Sequence, residues 1–397
     1  MDVLSTPPDY KSFLEKYLFP NRPCLIRRGL IDDWAAFQSW TSTHDGVSYP
    51  NLAELKTSYG HQFVSCVESE AGDVLSTSSG DEYASTHRCI PFSEVIERWE
   101  RYLSADMPNQ PSTKFYVKDW HLPKIVEGAD DNPRSLYSTP EIFQDDWMNA
   151  YYTARTQDDF RFVYIGQGGT YTAFHSDVYA SYSWSANILG QKRWNLYEPG
   201  KSDPITIIQS EREVIFVMNM ELKPSGWKHE VENLSPLVIS INHNWCNSVN
   251  LHFVYDALAQ DVEDVEESIS DVKELLQKKP RSSSDPVWQS EWIQVVQDMV
   301  RQHAGWDWTT FWRMVHFVIQ NTFGNAATSL QVRFANVSIL SIWLLRPQVV
   351  KSPIAPTQEF ITQQVQYCIS KFEKRSQHEY VKELETLLSE IKLSLRN

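Results

Sequence analysis

Phe174-His175-Ser176-Asp177, then Gly226-Trp227-Lys228-His229 further along, with Lys192 between them, decide how the rest of this chain is read. Together they supply two imidazoles, a carboxylate and a fixed cation. On a β-strand, residues two apart share a face, so His175 and Asp177 can bind one metal from neighbouring pleats. His229 then has to arrive from a second strand. Two His and one carboxylate take one triangular face of an octahedral metal and leave three positions open, which suits Fe(II) and oxygen chemistry. A structural zinc site would close its shell instead. Among 11 His a His-x-Asp pair is no more than chance supplies, so the surrounding residues carry the argument.

Those residues read as short strands. Arg161-Phe162-Val163-Tyr164-Ile165-Gly166 is strand-like and Gly168-Gly169 turns it. In Tyr182-Ser183-Trp184-Ser185-Ala186-Asn187-Ile188, apolar even positions alternate with polar odd ones, the pattern of a half-buried strand with one polar face. Ser183, Ser185 and Asn187 should therefore line one cavity. Gly190-Gln191 is expected to fold Lys192-Arg193-Trp194-Asn195-Leu196-Tyr197 back as the second strand of a hairpin.

At this point the chain resembles the JmjC (Jumonji) family of Fe(II)- and 2-oxoglutarate-dependent oxygenases. The likeness rests on the ordered set Thr172, His175-Ser176-Asp177, Trp184, Gly190-Gln191-Lys192-Arg193-Trp194, Pro224-Ser225-Gly226-Trp227-Lys228-His229 and Asn233-Leu234, and it covers residues 8–255. Within the family it is most similar to the lysyl hydroxylases of the eukaryotic translation termination factor. Tyr116-Val117-Lys118-Asp119-Trp120-His121-Leu122, Asp159 to Tyr164, Ser181 to Ser185 and Ser240-Ile241-Asn242-His243-Asn244-Trp245 carry that finer resemblance. It implies that His175, Asp177 and His229 hold iron, and that Lys192 and Thr172 bind the distal carboxylate of 2-oxoglutarate. Asn242 stands where the family often places another polar contact, and Ser185 and Asn187 have the strand parity for further ones. A buried carboxylate is tolerated only when paired and hydrogen-bonded, which is physically in keeping with these roles.

The resemblance implies a mainly β catalytic core, a cupin-like double-stranded β-helix or jelly roll, with N-terminal helical support and an α-helical C-terminal region. The expected divisions are residues 1–110, 111–257 and 258–397. It further implies an Fe(II)- and 2-oxoglutarate-dependent protein hydroxylase using O2, acting on a protein substrate, with a lysine of the termination factor as the candidate. One departure stands out. The family runs from a strand ending in Phe-Val straight into Pro-Ser-Gly-Trp, whereas Met218-Asn219-Met220-Glu221-Leu222-Lys223 intervenes here. An outward turn of that length leaves the flanking strands in place, because closure cost grows slowly with loop length. A displaced His229 would instead leave a non-catalytic Jumonji scaffold that binds partners. The same iron chemistry also serves N-methyl-lysine demethylases, although no Cys/His-rich reader module accompanies it here.

Composition narrows the setting. Fifty-one acidic against 36 basic residues give a formal charge of −15, which argues against nucleic-acid binding and mildly favours a basic protein partner. Met1 to Pro8 lacks the basic start and apolar core of a secretory signal. The longest apolar run, Phe334 to Leu345, is interrupted by Asn and Ser and flanked by Arg333 and Arg346, so no membrane span is expected. Five widely spaced cysteines, Cys24, Cys66, Cys89, Cys246 and Cys368, read as free thiols of a reducing compartment. A cytoplasmic or nuclear enzyme is the expectation. Tyr10 to Tyr17 has helical spacing, Pro23 to Ile26 reads as a strand, and Trp34 and Trp40 read as core. After an acidic helical stretch from Asp261 to Leu276, Lys278 to Pro286 reads as a linker. Trp308, Phe311, Trp312, Val315 and Ile319 form one apolar helical stripe, and Leu384, Leu387, Leu388, Ile391 and Leu395 another. Core packing explains both, and the second is also a candidate homodimer surface.

Overall fold

The computed structural model describes residues 1–70, 86–104, 113–128, 136–218, 227–280, 287–323, 355–375 and 378–396. Its strands are β1 (Asp2–Leu4), β2 (Cys24–Ile26), β3 (Thr41–His44), β4 (Val47–Pro50), β5 (Phe63–Glu70), β6 (Thr86–Pro91), β7 (Thr113–Trp120), β8 (Arg161–Gln167), β9 (Tyr171–His175), β10 (Tyr182–Leu189), β11 (Lys192–Tyr197), β12 (Ile205–Gln209), β13 (Val214–Met218), β14 (Lys228–Asn233) and β15 (Leu237–Trp245). Among the described residues, a large sheet runs β1-β2-β13-β10-β15-β8-β7-β5-β6 and a smaller one β12-β11-β14-β9. From β8 onward the chain alternates between them except for the β11–β12 pair, which stays in the small sheet, and this is the jelly-roll winding expected from the resemblance. The apolar faces of both sheets meet in one cluster, with Leu25, Ile215 and Val217 from the large sheet and Trp194, Leu196 and Val231 from the small one.

The expected β10–β11 hairpin does not form. β10 bonds to β13 and β15 in the large sheet, while β11 pairs with β12 and β14 in the small one. The reason lies in burial. β10 is buried at nearly every position, as befits a central strand with partners on both edges, whereas β11 alternates buried and half-buried and so covers the cavity from one face. Gly190 makes the crossing possible. Its φ of +77° is left-handed, and a Cβ there would lie 2.7 Å from the Leu237 carbonyl oxygen.

Two compact units divide the chain, and neither is a linear span. Residues 1–143, 158–177 and 182–244 form the first, and residues 144–157, 178–181 and 245–397 the second. A boundary at 257 falls inside the helix Leu251–Ser268. In the first unit, Tyr10–Phe13 begins as an α-helix capped by Asp9, which accepts from the Ser12 amide at 2.9 Å, and widens into a π turn over Leu14–Leu18. Its Phe13 packs edge-on against Phe143 and Phe216. Trp34 and Trp40 are buried, as expected.

In the second unit the stripe Trp308, Phe311, Trp312, Val315 and Ile319 is wholly buried, with Phe372 seated on Trp308 and Trp312 at 5.0 and 5.4 Å between rings. The last helix, His378–Ser394, packs on Trp308–Phe323. Leu384, Leu388, Ile391 and Leu395 are buried within the chain itself. A dimer through these helices would need another face. Cys24, Cys66, Cys246 and Cys368 are buried free thiols and Cys89 is an exposed one. No helix among the described residues is long and apolar enough to cross a membrane. The segment Phe334 to Leu345 lies outside the described residues, as does all but the first residue of Met218 to Lys223.

The two left-handed glycines that flank β11 give a test of the crossing. At Gly200, φ is +75° with nothing within 4 Å of a Cβ, so Gly200→Ala should cost only backbone strain, about 1 kcal/mol. Gly190→Ala adds the collision with Leu237 and should cost about 1–3 kcal/mol more, measured as the difference in urea unfolding free energy.

Candidate metal centre

The register between β9 and β14 sets His229 opposite His175. From that pair, β14 advances two residues to Val231 while β9 goes back three to Thr172, so β9 carries one extra residue, a β-bulge. In a regular strand, residues three apart face opposite ways. The bulge brings Thr172 and His175 to the same cavity. Asp177 does not come from a pleat of that strand, as the His-x-Asp spacing suggests. β9 ends at His175, and the segment after it carries Asp177 back.

The three side chains converge. Their ligand atoms all lie within 4.8 Å of one another, with His175 Nε2 3.9 Å from an Asp177 oxygen and the two imidazole centroids 4.3 Å apart. The Nδ1 of His175 sits 2.7 Å from the Ala173 carbonyl oxygen. A carbonyl can only accept, so Nδ1 carries the proton and Nε2 keeps its lone pair for a metal. His229 is buried, and its Nδ1 has no hydrogen-bond partner. Burial lowers its pKa to about 4, with Asp177 opposing and His175 adding to the effect, so the ring is neutral near pH 7. This donor set fits Fe(II). The strand bearing His229 is in register despite the residues inserted before it, which removes the ground for a displaced-His229 scaffold.

A cavity of about 490 Å³, counted with its open mouth, adjoins these groups. Thr172, Lys192, Ser183, Ser185 and Asn242 line it together with the three candidate ligands. Lys192 shares the inward face with His229, since it pairs with Asn233 on the ladder that sets Leu196 against His229. Its Nζ donates to Ser240 Oγ at 2.5 Å, and burial with no compensating charge pulls its pKa down to about 7. A buried cation without an anion fits a carboxylate ligand. Thr172 Oγ1 lies 3.4 Å from the Tyr116 hydroxyl, and Ser185 Oγ donates to Asn242 Oδ1 at 3.0 Å. Asn187 is not among the lining residues. Its amide donates to the Gly190 carbonyl at 2.6 Å and braces the β10–β11 crossing instead.

Sequence reasoning gave no site role to Tyr116, Tyr164 and Ser240, and left Asn244 between a structural role and a ligand role; Tyr116, Tyr164 and Asn244 line the cavity and Ser240 holds Lys192. Ser240, Asn242 and Asn244 alternate with Ile239 and Ile241 along β15, so the period-two signal for a polar inner face was present. For Tyr116 the structural partner is Gly166, where a Cβ would lie 2.6 Å from the tyrosine ring. Nothing local in the sequence marks that pairing.

A jelly roll with two imidazoles and a carboxylate at one end of its cavity defines a mononuclear non-haem metal protein of the cupin class. The family described as "Cupin-like domain" matches residues 10–221. The chain is 30% identical over 345 residues to the 2-oxoglutarate and iron-dependent oxygenase JMJD4 of Danio rerio, covering 79% of this chain and 73% of that protein. The Gallus gallus protein of the same name is also 30% identical, covering 79% and 72%. The arginine-specific demethylase JMJ20 of Arabidopsis thaliana is 33% identical, covering 67% and 61%. The chain belongs to the cupin-like JmjC family of 2-oxoglutarate- and iron-dependent oxygenases, with Fe(II) as cofactor and 2-oxoglutarate and O2 as co-substrates.

Because Lys192 binds a proton in the unfolded chain up to its ordinary value of 10.5 but releases it near 7 when folded, the unfolded state holds more protons between those limits. Stability should therefore rise with pH from about 7 to about 10.5. Lys192→Met should flatten that rise, and saturating 2-oxoglutarate should flatten it in the wild type by holding the ammonium charged. Thermal melts across the pH range read both effects.

Proposed function

We propose that this enzyme hydroxylates a carbon of a lysine side chain in a protein substrate, and that the substrate is the eukaryotic translation termination factor. The observation that carries the iron and 2-oxoglutarate part is one cavity with His175, Asp177 and His229 at one end and the uncompensated Lys192 ammonium at the other. In this reading His175, Asp177 and His229 bind Fe(II). Lys192 and Thr172 hold the distal carboxylate, with Asn242 and Ser185 as neighbouring polar contacts. The resemblance of Tyr116 to Leu122 and Ser240 to Trp245 to termination-factor lysyl hydroxylases supports the substrate. Such a substrate would put the enzyme in the cytoplasm.

When bound, Fe(II) and 2-oxoglutarate would supply, with O2, oxidative decarboxylation to succinate and CO2, one oxygen atom entering succinate and the other the C–H bond of the substrate. The chain's own part is positioning. The Ala173 carbonyl fixes the His175 ring, Ser240 fixes the Lys192 ammonium, and Ser185 fixes the Asn242 amide. A second reading, N-methyl demethylation, is favoured by the name of the Arabidopsis relative.

Intact-mass analysis of the termination factor after incubation with enzyme, Fe(II) and 2-oxoglutarate separates the two: a one-oxygen gain is expected, and loss of a methyl group from a methylated substrate would favour demethylation. Asp177→Ala should fold normally and show no turnover above background. Undiminished 2-oxoglutarate-dependent turnover by that variant would sink the metal assignment. Lys192→Ala should bind iron but lose about 3–5 kcal/mol of 2-oxoglutarate affinity, read by calorimetry with the co-substrate.

A further inference from the structure

The pairing of β7 with β8 holds a second bulge. From Val117 opposite Ile165, β7 takes three residues to reach Trp120 while β8 takes two to reach Val163. The extra residue falls at Lys118-Asp119, and Asp119 stands at a φ of +53°, left-handed for a residue with a side chain. Val117 and Trp120 remain buried in the core. Lys118 and Asp119, adjacent in sequence, both reach toward the cavity's aromatic wall. The Lys118 ammonium lies 5.6 Å from the centre of the Tyr116 ring, and Asp119 Oδ1 accepts from the Tyr164 hydroxyl at 2.6 Å. Tyr116 and Tyr164 both line the cavity, with ring centres 6.2 Å apart.

Tyr164 links the two acids of this region. Burial, Asp119 and, more weakly, Asp177 push its pKa well above the usual tyrosine value, so the phenol stays protonated and keeps donating to Asp119. Asp119 itself is exposed. A carboxylate accepts at about four lone-pair positions, and the Tyr164 hydroxyl takes one. Among the described residues no cationic side chain forms an ion pair with it. The bulge thus presents an oriented, exposed carboxylate on Tyr164, a residue of the cavity wall, while the Lys118 ammonium holds the Tyr116 face and feels the Asp119 charge.

We propose that Asp119 is a specificity-determining residue that holds a basic side chain of the protein substrate, its ammonium on the carboxylate and its methylenes along Tyr164. This rests on the lysyl-hydroxylation reading above and deepens it by naming the residue that meets the substrate's charge. Backbone strain at functional sites is retained when it aims a side chain, and Asp119 is such a case. A purely structural part, steadying Tyr164 alone, would leave the substrate's charge irrelevant.

The test uses two substrates with Asp119→Asn, Asp119→Glu and Tyr164→Phe variants of the full chain. With the termination factor, Asp119→Asn should raise KM for the protein about tenfold, with the change falling on that KM rather than on kcat or on the KM for 2-oxoglutarate. Asp119→Glu should recover part of the loss, and Tyr164→Phe should show a smaller rise of the same kind. The wild-type KM should climb with salt and that of Asp119→Asn much less. The second substrate is a degenerate peptide pool with lysine fixed at one position, set against the same pool with norleucine there, read by stimulated succinate release. Wild type should prefer lysine and Asp119→Asn should not. A failed termination factor with the lysine preference intact would overturn the substrate named above and leave this proposal standing. Absence of the preference in wild type, its survival in Asp119→Asn, or a rise confined to the KM for 2-oxoglutarate would overturn the role of Asp119.

Discussion

Everything chemical in this fold hangs on the hydrogen-bond register between β9 and β14. Because side chains alternate with a period of two, a slip of one residue would send His229 out of the cavity and put Lys228 or Glu230 in its place. The bulge in β9 meets a second demand on the same ladder, since Thr172 and His175 are an odd number of residues apart yet share the cavity. Flanking strands hold this register from the other side. β11 pairs with β14 over six consecutive residues, from Lys192 opposite Asn233 to Tyr197 opposite Lys228. His175, His229 and the candidate anion-binding Lys192 therefore sit on one continuous ladder, and the distance between them is set by pleats, while Asp177 joins from the segment just beyond β9.

That ladder encloses an electrostatic imbalance. At one end the groups are a carboxylate and two imidazoles, one of them kept neutral by burial; at the other an ammonium has been stripped of water and given only a serine oxygen. Low dielectric magnifies both the penalty of leaving such groups alone and the benefit of satisfying them. His175, Asp177 and His229 would suit a divalent cation and Lys192 a carboxylate, so bound Fe(II) and a dicarboxylic 2-oxo acid would relieve the imbalance at both ends. The same accounting disfavours a simple cupin metal site, for which an unpaired interior lysine would be a standing cost without a return.

The convergence of His175, Asp177, His229 and Lys192 on one cavity, and the jelly-roll class, were legible from residue types and their order through the family resemblance, although Asp177 arrives from beyond β9 rather than from its pleat. The alternation from Tyr182 to Ile188 correctly put Ser183 and Ser185 on the cavity wall. It failed two residues later at Asn187, where the chain is already bending toward the other sheet and the side chain closes the Gly190 crossing. The hairpin expected at Gly190-Gln191 failed for a related reason. A glycine turn announces that the chain reverses but not which sheet receives it, and only the demand of a central strand for two partners decides that. Tyr116 was visible as part of a motif, yet its place against Gly166 is a contact between strands far apart in sequence, which no local pattern encodes. The N-terminal helix was read from its spacing, but its widening into a π turn over Leu14–Leu18 was not.

Bulges mark the limit of period-based reading more sharply than turns do. Each of the two found here adds one residue and reverses the parity of all that follows it, with no glycine or proline to announce it. In β9 the bulge gathers Thr172 and His175; in β7 it places Asp119 where a regular strand would have held it elsewhere. Both lie on strands whose other positions are fixed by the core, Val117 and Trp120 in one case and the ladder to β14 in the other. The core thus sets where each strand runs while the bulge sets what it shows to the cavity.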